Sequence, residues 1–278
     1  MTHEAHITVQ GVPIRYRDSG GPGMPILLSH GIGGSLELWD SQFSEDLQAY
    51  RLIAWDMPGH GLSGMGEQPY DADKFARFAW QFLDALGIQR LVLAGNSLGA
   101  AVSVRMAGLA PDRVAGLLLA NSASLGREVF APFRVMTLPV LGELMNKPGK
   151  AAVERQIQAI FHKPSVATAP IREVIARNVH KPEGGKAFLA TLRSMSDLGG
   201  QSKKAFSHTL GILRAMQVPV LFVHGRHDTV LPLQHSVAAH AITPRSSLLM
   251  LEDCGHTPQL EKPTEFNREL NSFVSACV

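Results

Sequence analysis

The stretch Leu91–Ala101, LVLAGNSLGAA, decides the fold of this chain. It begins as an apolar run, which is typical of a strand buried on both faces of a parallel sheet. The run breaks at GNSLG, residues 95–99, and then continues as small residues that suit a helix. A Gly-x-Ser-x-Gly turn between a buried strand and a helix is typical of a nucleophile elbow, which presents the serine oxygen at the end of the strand. We therefore predict that Ser97 is a nucleophile. The alternative is a chance serine in a glycine-rich turn.

Two later loops offer the partners that a serine hydroxyl needs before it can act as a nucleophile. Two further apolar runs are predicted to be buried strands, and they end in loops that present Asp228 and His256. The chain order Ser97, Asp228, His256 is the one expected for this elbow. We predict that His256 removes the serine proton while Asp228 orients the imidazole. Asp253 is a poorer candidate for the acid, because it precedes His256 by only three residues and does not lie on a separate loop.

Five motifs together resemble the α/β-hydrolase fold family. They are HGIGG (30–34), DMPGHGLS (56–63), GNSLG (95–99), GRHD (225–228) and GH (255–256), spread over nearly the whole chain except about residues 125–208. The resemblance implies a serine hydrolase in the branch of esterases and meta-cleavage C–C hydrolases. In this fold, backbone N–H groups stabilise the negative charge on the carbonyl oxygen; one follows the nucleophile and another lies in the first of these loops. Those positions are Leu98 and Ile32.

The alternation of apolar strands with amphipathic segments predicts an α/β fold. It is a mostly parallel twisted sheet with helices on both faces. Residues 6–18 are predicted to form an antiparallel hairpin at its edge, and Trp39–Tyr50 a short helix. Prolines recur between residues 124 and 208, where amphipathic pieces are present and no buried strand is predicted. We therefore predict a core formed by residues 1–123 and 209–278, with residues 124–208 inserted as a helical cap.

The cap is expected to shape the substrate pocket, because caps in the resembling family cover the active site and exclude water. Its apolar side chains are predicted to form part of the ceiling, although most of them are expected to pack against the core. The predicted substrate contacts are Gly33, Asn96, Leu125, Met136, Leu138 and Val230.

Composition and charge exclude several other classes of protein. The 278 residues suit one domain with an insertion, and a formal net charge of +2 gives no reason to expect a nucleic-acid or membrane partner. A small-molecule substrate is expected, and the oligomeric state stays open. The N-terminal segment lacks the pattern of a secretory signal and no apolar run is as long as a membrane span, so we expect a cytoplasmic protein.

No cofactor or metal is predicted. The chain has no Gly-rich nucleotide-binding loop after a strand and no HExxH motif. His224 and His227 lie shortly before Asp228, but they lack the spacing of a metal motif. The two cysteines, Cys254 and Cys277, are expected to be free thiols.

The first functional interpretation is hydrolysis of a carboxylic ester of a small to medium hydrophobic substrate through an acyl-enzyme. The second is hydrolysis of a C–C bond, because Asn96 before the serine resembles the meta-cleavage hydrolases. Two departures weaken it: those enzymes typically carry Trp where this chain has Thr257, and Pro-Gly where it has Gly34-Ser35. A lactonase needs the same catalytic groups. A small-molecule receptor with an intact triad is a further alternative. The sequence does not identify the substrate.

Overall fold

The computed structural model describes residues 3–277, and an eight-stranded sheet runs through them. The strands in chain order are β1 (His3–Val9), β2 (Val12–Asp18), β3 (Pro25–Ser29), β4 (Arg51–Trp55), β5 (Leu91–Asn96), β6 (Val114–Ala120), β7 (Ser196–Asp197), β8 (Gly200–Gln201), β9 (Val220–Gly225) and β10 (Ser246–Leu251). The sheet has the order β1-β2-β4-β3-β5-β6-β9-β10, whereas β7 and β8 form a separate ribbon. The strands from β4 to β10 in this order run parallel, and β1, β2 and β4 pair antiparallel. The predicted parallel sheet with an edge hairpin is confirmed.

Helices cover both faces of this sheet. In chain order they are α1 (Ala72–Ala85), α2 (Leu98–Leu109), α3 (Ala131–Met136), α4 (Leu141–Met145), α5 (Lys150–Ile160), α6 (Ala169–His180), α7 (Pro182–Met195), α8 (Lys203–Arg214), α9 (Leu233–Ile242), α10 (Pro258–Glu261) and α11 (Pro263–Cys277). Short 3-10 helices lie at Leu36–Gln42, Glu45–Leu47, Pro111–Arg113 and Pro164–Val166. Of the helices within residues 3–277, none combines the length and the apolar character needed to cross a bilayer.

Adjacent residues of the central strands face opposite layers of the core. On β3, Leu27 packs in a cluster with the buried faces of α1 and α2, whereas Ile26 and Leu28 pack in a second cluster with Phe266 and Leu270 of α11. This alternation follows from the two-residue repeat of a strand. Because both faces are covered, the strands consist of continuous apolar runs, as the sequence of β5 predicts.

Helix α1 shows how a local pattern sets the bounds of an element. Asp71 caps its first turn by accepting a hydrogen bond from the Lys74 amide at 2.8 Å. Phe75 and Phe82 lie on its buried face, and Gly87 adopts a φ of 71° just beyond its end. The helix thus begins at the residue after its cap and ends just before this glycine.

The predicted helix at Trp39–Tyr50 is wrong. This segment instead contains two short 3-10 helices separated at Phe43 and Ser44. The Nδ2 atom of Asn267 on α11 donates hydrogen bonds to the Ser41 carbonyl at 2.8 Å and to the Ser44 hydroxyl at 3.2 Å. This tertiary contact binds the chain where the two 3-10 helices separate. Local helix propensity does not predict such a contact.

Helices α3–α8 lie between β6 and β9, where the sequence predicts the cap. The β7–β8 ribbon is the one departure there from the expectation of helices alone. Gly200 turns the chain with a φ of 117°, and the Gln201 side chain accepts a hydrogen bond from the Ser124 amide at 2.7 Å. The ribbon thus ties the end of this segment to its beginning. Strands of two residues carry no periodicity that could predict them.

Candidate active site

Ser97 occupies a strained turn between β5 and α2. Its backbone angles are φ 56° and ψ −114°, a conformation that is uncommon for a residue with a side chain. The Ser97 amide donates to the Ala120 carbonyl at 2.9 Å, and the Ser97 carbonyl accepts from the Ala123 amide at 3.1 Å. Strain of this kind persists only where surrounding contacts enforce it, and it clusters at functional sites.

The two glycines of the turn are required by close backbone contacts. A Cβ atom on Gly95 would lie 2.3 Å from the carbonyl carbon of Gly99. A Cβ atom on Gly99 would lie 2.0 Å from the carbonyl oxygen of Ser29 on β3. No side chain fits at either distance, so the GNSLG pattern follows from the packing of β5, α2 and β3.

His256 follows β10 and forms a buried pair with Asp228. The two are joined by a hydrogen bond of 2.8 Å from His256 Nδ1 to Asp228 Oδ2. The His256 carbonyl accepts a hydrogen bond from Asn96 Nδ2 at 2.9 Å, and the His256 amide donates to the Ile160 carbonyl of α5 at 3.0 Å. Asn96 directly precedes Ser97, so a single hydrogen bond joins the serine turn to the histidine loop.

Hydrogen-bond donors lie next to both oxygens of the Asp228 carboxylate. Its Oδ1 atom accepts from the amides of Val230 at 2.7 Å and Leu231 at 3.1 Å. In addition to His256, its Oδ2 atom accepts from Asn121 Nδ2 at 2.6 Å and lies 3.3 Å from His224 Nε2. Buried charges are tolerated when they are hydrogen-bonded in this way.

The neighbours of Asp228 keep it ionised although its side chain is fully buried. Burial by itself favours the neutral acid and raises its pKa. The charge of His256 and the hydrogen bonds from His224 and His256 outweigh that effect, and they hold the pKa of the Asp228 carboxyl well below its usual range. Asp228 is therefore a carboxylate at any pH near neutrality.

Sequence reasoning did not find two of these donors. Asn121 lies just beyond β6 with a φ of 44°, which asparagine tolerates better than most residues. His224 lies within β9, and its ring also contacts Ser236 Oγ at 2.8 Å. From the sequence alone, His224 is a candidate only for metal binding, which its spacing does not support. Asn121 lies at the carboxyl end of a strand next to β9, and this position is the feature of the sequence that could indicate its place near Asp228.

We expect the substitution Asn121→Ala to lower kcat without a matching change in KM. Removal of the donor leaves Oδ2 with one hydrogen bond fewer and loosens the imidazole that Asp228 orients. A hydrogen bond to a charged group contributes about 1.5–3 kcal/mol, which corresponds to a loss of roughly 10- to 100-fold in kcat. Steady-state kinetics on the best substrate will measure this. Asn271→Ala on α11 is the matched control, and an unchanged kcat in Asn121→Ala would contradict the expectation.

The loop after β3 passes directly over the serine turn. A Cβ atom on Gly31 would lie 3.2 Å from Ser97 Cβ. Next along this loop is Ile32, and Leu98 begins α2, where helix amides have no partner within the helix. Among the described residues, the Ile32 and Leu98 amides donate to no protein acceptor. The role of these two amides as oxyanion donors stays a prediction.

An apolar cluster lies beside this loop. Its buried members are Met136, Leu189 and Leu192 of the predicted cap. Four partly buried side chains pack against them: Ile32 of the loop, and Phe133, Met145 and Phe188 of the predicted cap. A Cβ atom on Gly33 would lie 3.2 Å from Phe188 Cδ2. Met136 is part of this cluster and Gly33 lies next to it, and their role as substrate contacts stays a prediction. Phe188 was not among the predicted residues, because its neighbours are not apparent from one helix.

The other predicted substrate contacts have different positions. Asn96 is 2% exposed and its side chain donates a hydrogen bond to the carbonyl of His256, so it has a structural role, and its contact with substrate stays a prediction. Leu125 packs in the main core cluster with Leu98 and Met195 rather than in the cap cluster, and its contact with substrate also stays a prediction. Val230 is buried beside Asp228. Leu138 is half-buried outside the four apolar clusters found within residues 3–277, and its role stays a prediction.

Comparison with known proteins identifies the family. A family model described as the alpha/beta hydrolase fold matches residues 24–263. The match spans the parallel part of the sheet from β3 to β10, the serine turn and the loops of Asp228 and His256. The chain belongs to the α/β-hydrolase fold family, and the predicted resemblance is confirmed.

Individual relatives differ in their stated activities. The chain is 31% identical, over 96% of its length and 68% of the other, to the dihydrolipoyllysine-residue acetyltransferase component of the acetoin cleaving system of Pseudomonas putida. It is 26% identical, over 94% of its length and 91% of the other, to 2-hydroxy-6-oxononadienedioate/2-hydroxy-6-oxononatrienedioate hydrolase 2 of Pseudomonas putida. A thermophilic esterase from Thermogutta terrifontis shares the fold, with a TM-score of 0.80 and 21% identity over 99% of both chains. The family and fold support a hydrolase, whereas the substrate differs among relatives.

Proposed function

We propose that this protein is a serine hydrolase that cleaves a carboxylic ester of a small to medium hydrophobic substrate. One observation carries the proposal: the strained turn of Ser97 is joined through Asn96 to the loop of the buried His256–Asp228 pair. A nucleophile, a base and an acid that orients the base are the groups that acyl transfer needs.

The reaction proceeds in two halves. Ser97 Oγ attacks the ester carbonyl while His256 Nε2 takes its proton, and Asp228 stabilises the imidazolium that forms. The amides of Ile32 and Leu98 bind the oxyanion, a contribution that is often the largest electrostatic one. His256 then returns the proton to the leaving alcohol. Water, activated by the same imidazole, releases the acid and restores Ser97.

The apolar cap cluster supports a hydrophobic substrate. Met136, Phe133 and Phe188 pack together beside Ile32, whose amide is one of the proposed oxyanion donors. A carbonyl bound there has its substituents next to this cluster. Burial of each methylene of the substrate favours binding by about 0.8 kcal/mol, so an ester with several carbons is preferred over an acetyl ester.

Hydrolysis of a C–C bond is the second candidate. It is favoured by the 26% identity to the hydrolase of Pseudomonas putida whose name states 2-hydroxy-6-oxononadienedioate and 2-hydroxy-6-oxononatrienedioate. Thr257 weakens this candidate, because its hydroxyl donates to the Ile160 carbonyl at 3.2 Å and it replaces the tryptophan expected in that class. A lactonase would use the same groups as the esterase.

A chain-length series of p-nitrophenyl esters, from acetyl to dodecanoyl, distinguishes these candidates when a 2-hydroxy-6-oxo dienoate is assayed in parallel. We expect kcat/KM to pass through a maximum at a short or medium acyl chain and to exceed the value for the dienoate. A higher value for the dienoate would favour the C–C hydrolase. If no substrate turns over, and a ligand instead changes the mobility of the cap, a receptor is favoured and the ester proposal is rejected.

A further inference from the structure

Three potential metal ligands from separate loops meet at the surface. They are His162 beyond α5, His227 beyond β9 and Asp253 beyond β10, and their ligand atoms all lie within 4.8 Å of one another. The rings of His162 and His227 are stacked, with centroids 4.0 Å apart and an angle of 13° between their planes. His162 Nε2 lies 4.0 Å from Asp253 Oδ1. None of these side chains has a part in the proposed ester hydrolysis.

Backbone contacts hold the three loops in this arrangement. The His227 amide donates to the Cys254 carbonyl at 2.8 Å, which fixes the loop of Asp228 on that of His256. The His162 amide donates to Glu261 Oε2 at 2.8 Å, which fixes the cap segment on the core. The side chains are thus presented from supported backbone, and only their rotamers need to change when a ligand binds.

We propose that His162, His227 and Asp253 bind one divalent transition-metal ion of the Zn²⁺ type. Two imidazoles and a carboxylate are a typical ligand set for zinc, with water in the fourth position. Zinc–nitrogen bonds of about 2.0–2.1 Å place tetrahedral donors roughly 3.3 Å apart. The side chains therefore have to draw together, and the stacked rings have to tilt until their lone pairs converge. His227 and Asp253 are exposed, so both are free to make this movement.

Lys163 competes for the same carboxylate. Its Nζ atom lies 3.7 Å from Asp253 Oδ1, and both side chains are more than half exposed. Exposed ion pairs of this kind contribute little to stability. A divalent ion that also binds two imidazoles displaces the ammonium group, which then turns to solvent.

The ion would clamp the cap to both loops that carry the proposed acid and base. His227 directly precedes Asp228, Asp253 lies in the loop that leads to His256, and His162 belongs to the cap. Bound metal therefore stabilises the cap against the core without entering the reaction. This site is not predictable from the sequence, because its ligands lie far apart in the chain and match no spacing motif.

The test uses the full chain without a histidine tag, stripped of metal and titrated with ZnCl₂ in a calorimeter. We expect one ion per chain, with a Kd on the order of 10⁻⁶ M for three partly exposed ligands. His162→Ala and Asp253→Asn should each weaken binding by at least about tenfold. His180→Ala, an exposed cap histidine outside the cluster, is the matched control and should bind as the wild type does.

Thermal melting provides a second readout that is independent of enzymatic activity. A hundredfold excess of Zn²⁺ over the wild-type Kd should raise the Tm of the wild type and of His180→Ala by about 5 °C, and should raise that of His162→Ala by no more than about half as much. Melting without metal shows whether each variant is folded. The proposal is overturned if the wild type takes up no Zn²⁺, or if His162→Ala and Asp253→Asn bind it as tightly as the wild type.

Discussion

We expect the replacement of Ser97 with alanine to lower kcat by about 10⁵- to 10⁶-fold and to leave the protein folded. In serine hydrolases, removal of the nucleophile has this effect because the histidine has no hydroxyl to deprotonate and no acyl-enzyme can form. Ser97 Oγ is not part of the packing that holds the turn, since its backbone amide and carbonyl make the contacts to Ala120 and Ala123. The change is therefore expected in kcat and not in thermal stability. Ester hydrolysis and melting curves will measure the two effects.

Ser103→Ala is the matched control for this variant. Ser103 lies on α2, is fully buried and donates its hydroxyl to the Gly99 carbonyl at 2.9 Å. The same chemical change at that position should leave kcat within a few-fold of the wild type. If Ser97→Ala retains more than about a thousandth of the wild-type rate, the nucleophile is another group and the proposed mechanism is wrong.

Replacing Asp228 with asparagine lowers kcat by about 10⁴-fold. The carboxylate accepts from donors on both oxygens, whereas an asparagine amide has one acceptor oxygen and one NH₂ group. If the oxygen faces the Val230 and Leu231 amides, the NH₂ group faces His256. The imidazole then carries its proton on Nε2, the atom that has to accept the proton of Ser97. Binding of the substrate is expected to change little, so the effect is largely in kcat.

Asp253→Asn, assayed in EDTA, is the control that separates the two candidate acids. It should keep most of the activity, and a large loss in this variant alone would show that Asp228 is not the acid.

A second readout for Asp228→Asn follows from the low pKa of Asp228. A carboxyl group whose folded-state pKa is depressed stabilises the fold above its unfolded pKa, near 3.8, and that contribution is lost as the pH falls below it. Asp228→Asn should lack this part of the acid dependence of stability.

The fold could be predicted where a local pattern and the tertiary packing agree. Strand β5 is a continuous apolar run, and α1 has a cap, an apolar face and a terminal glycine. The prediction of a single helix at Trp39–Tyr50 fails because Asn267, which lies far away in the chain, binds the segment near the point where its two 3-10 helices separate. Local propensity cannot include such a contact.

The same distinction applies to the site. Ser97, Asp228 and His256 each follow a strand, and parallel strands bring their carboxyl ends to one edge of the sheet. The contact of His256 with Asp228 and the position of Ser97 at the same edge therefore follow from topology, which the sequence predicts. Asn121 and His224 are different, because their contacts with Asp228 depend on the rotamers and the twist of β6 and β9. Phe188 depends on how the cap helices pack, and no motif specifies that.

The hydrogen bond from the His256 amide to the Ile160 carbonyl limits how freely the cap can be exchanged. Chimeric enzymes are often built by transplanting a whole cap from one relative to another. Here the transplanted segment would keep this hydrogen bond to the main chain of the proposed base only if it places a backbone carbonyl where that of Ile160 lies. A graft that retains residues 159–162 and joins the foreign helices on either side would keep this acceptor. Substrate preference can then be altered without disturbing the geometry of the histidine.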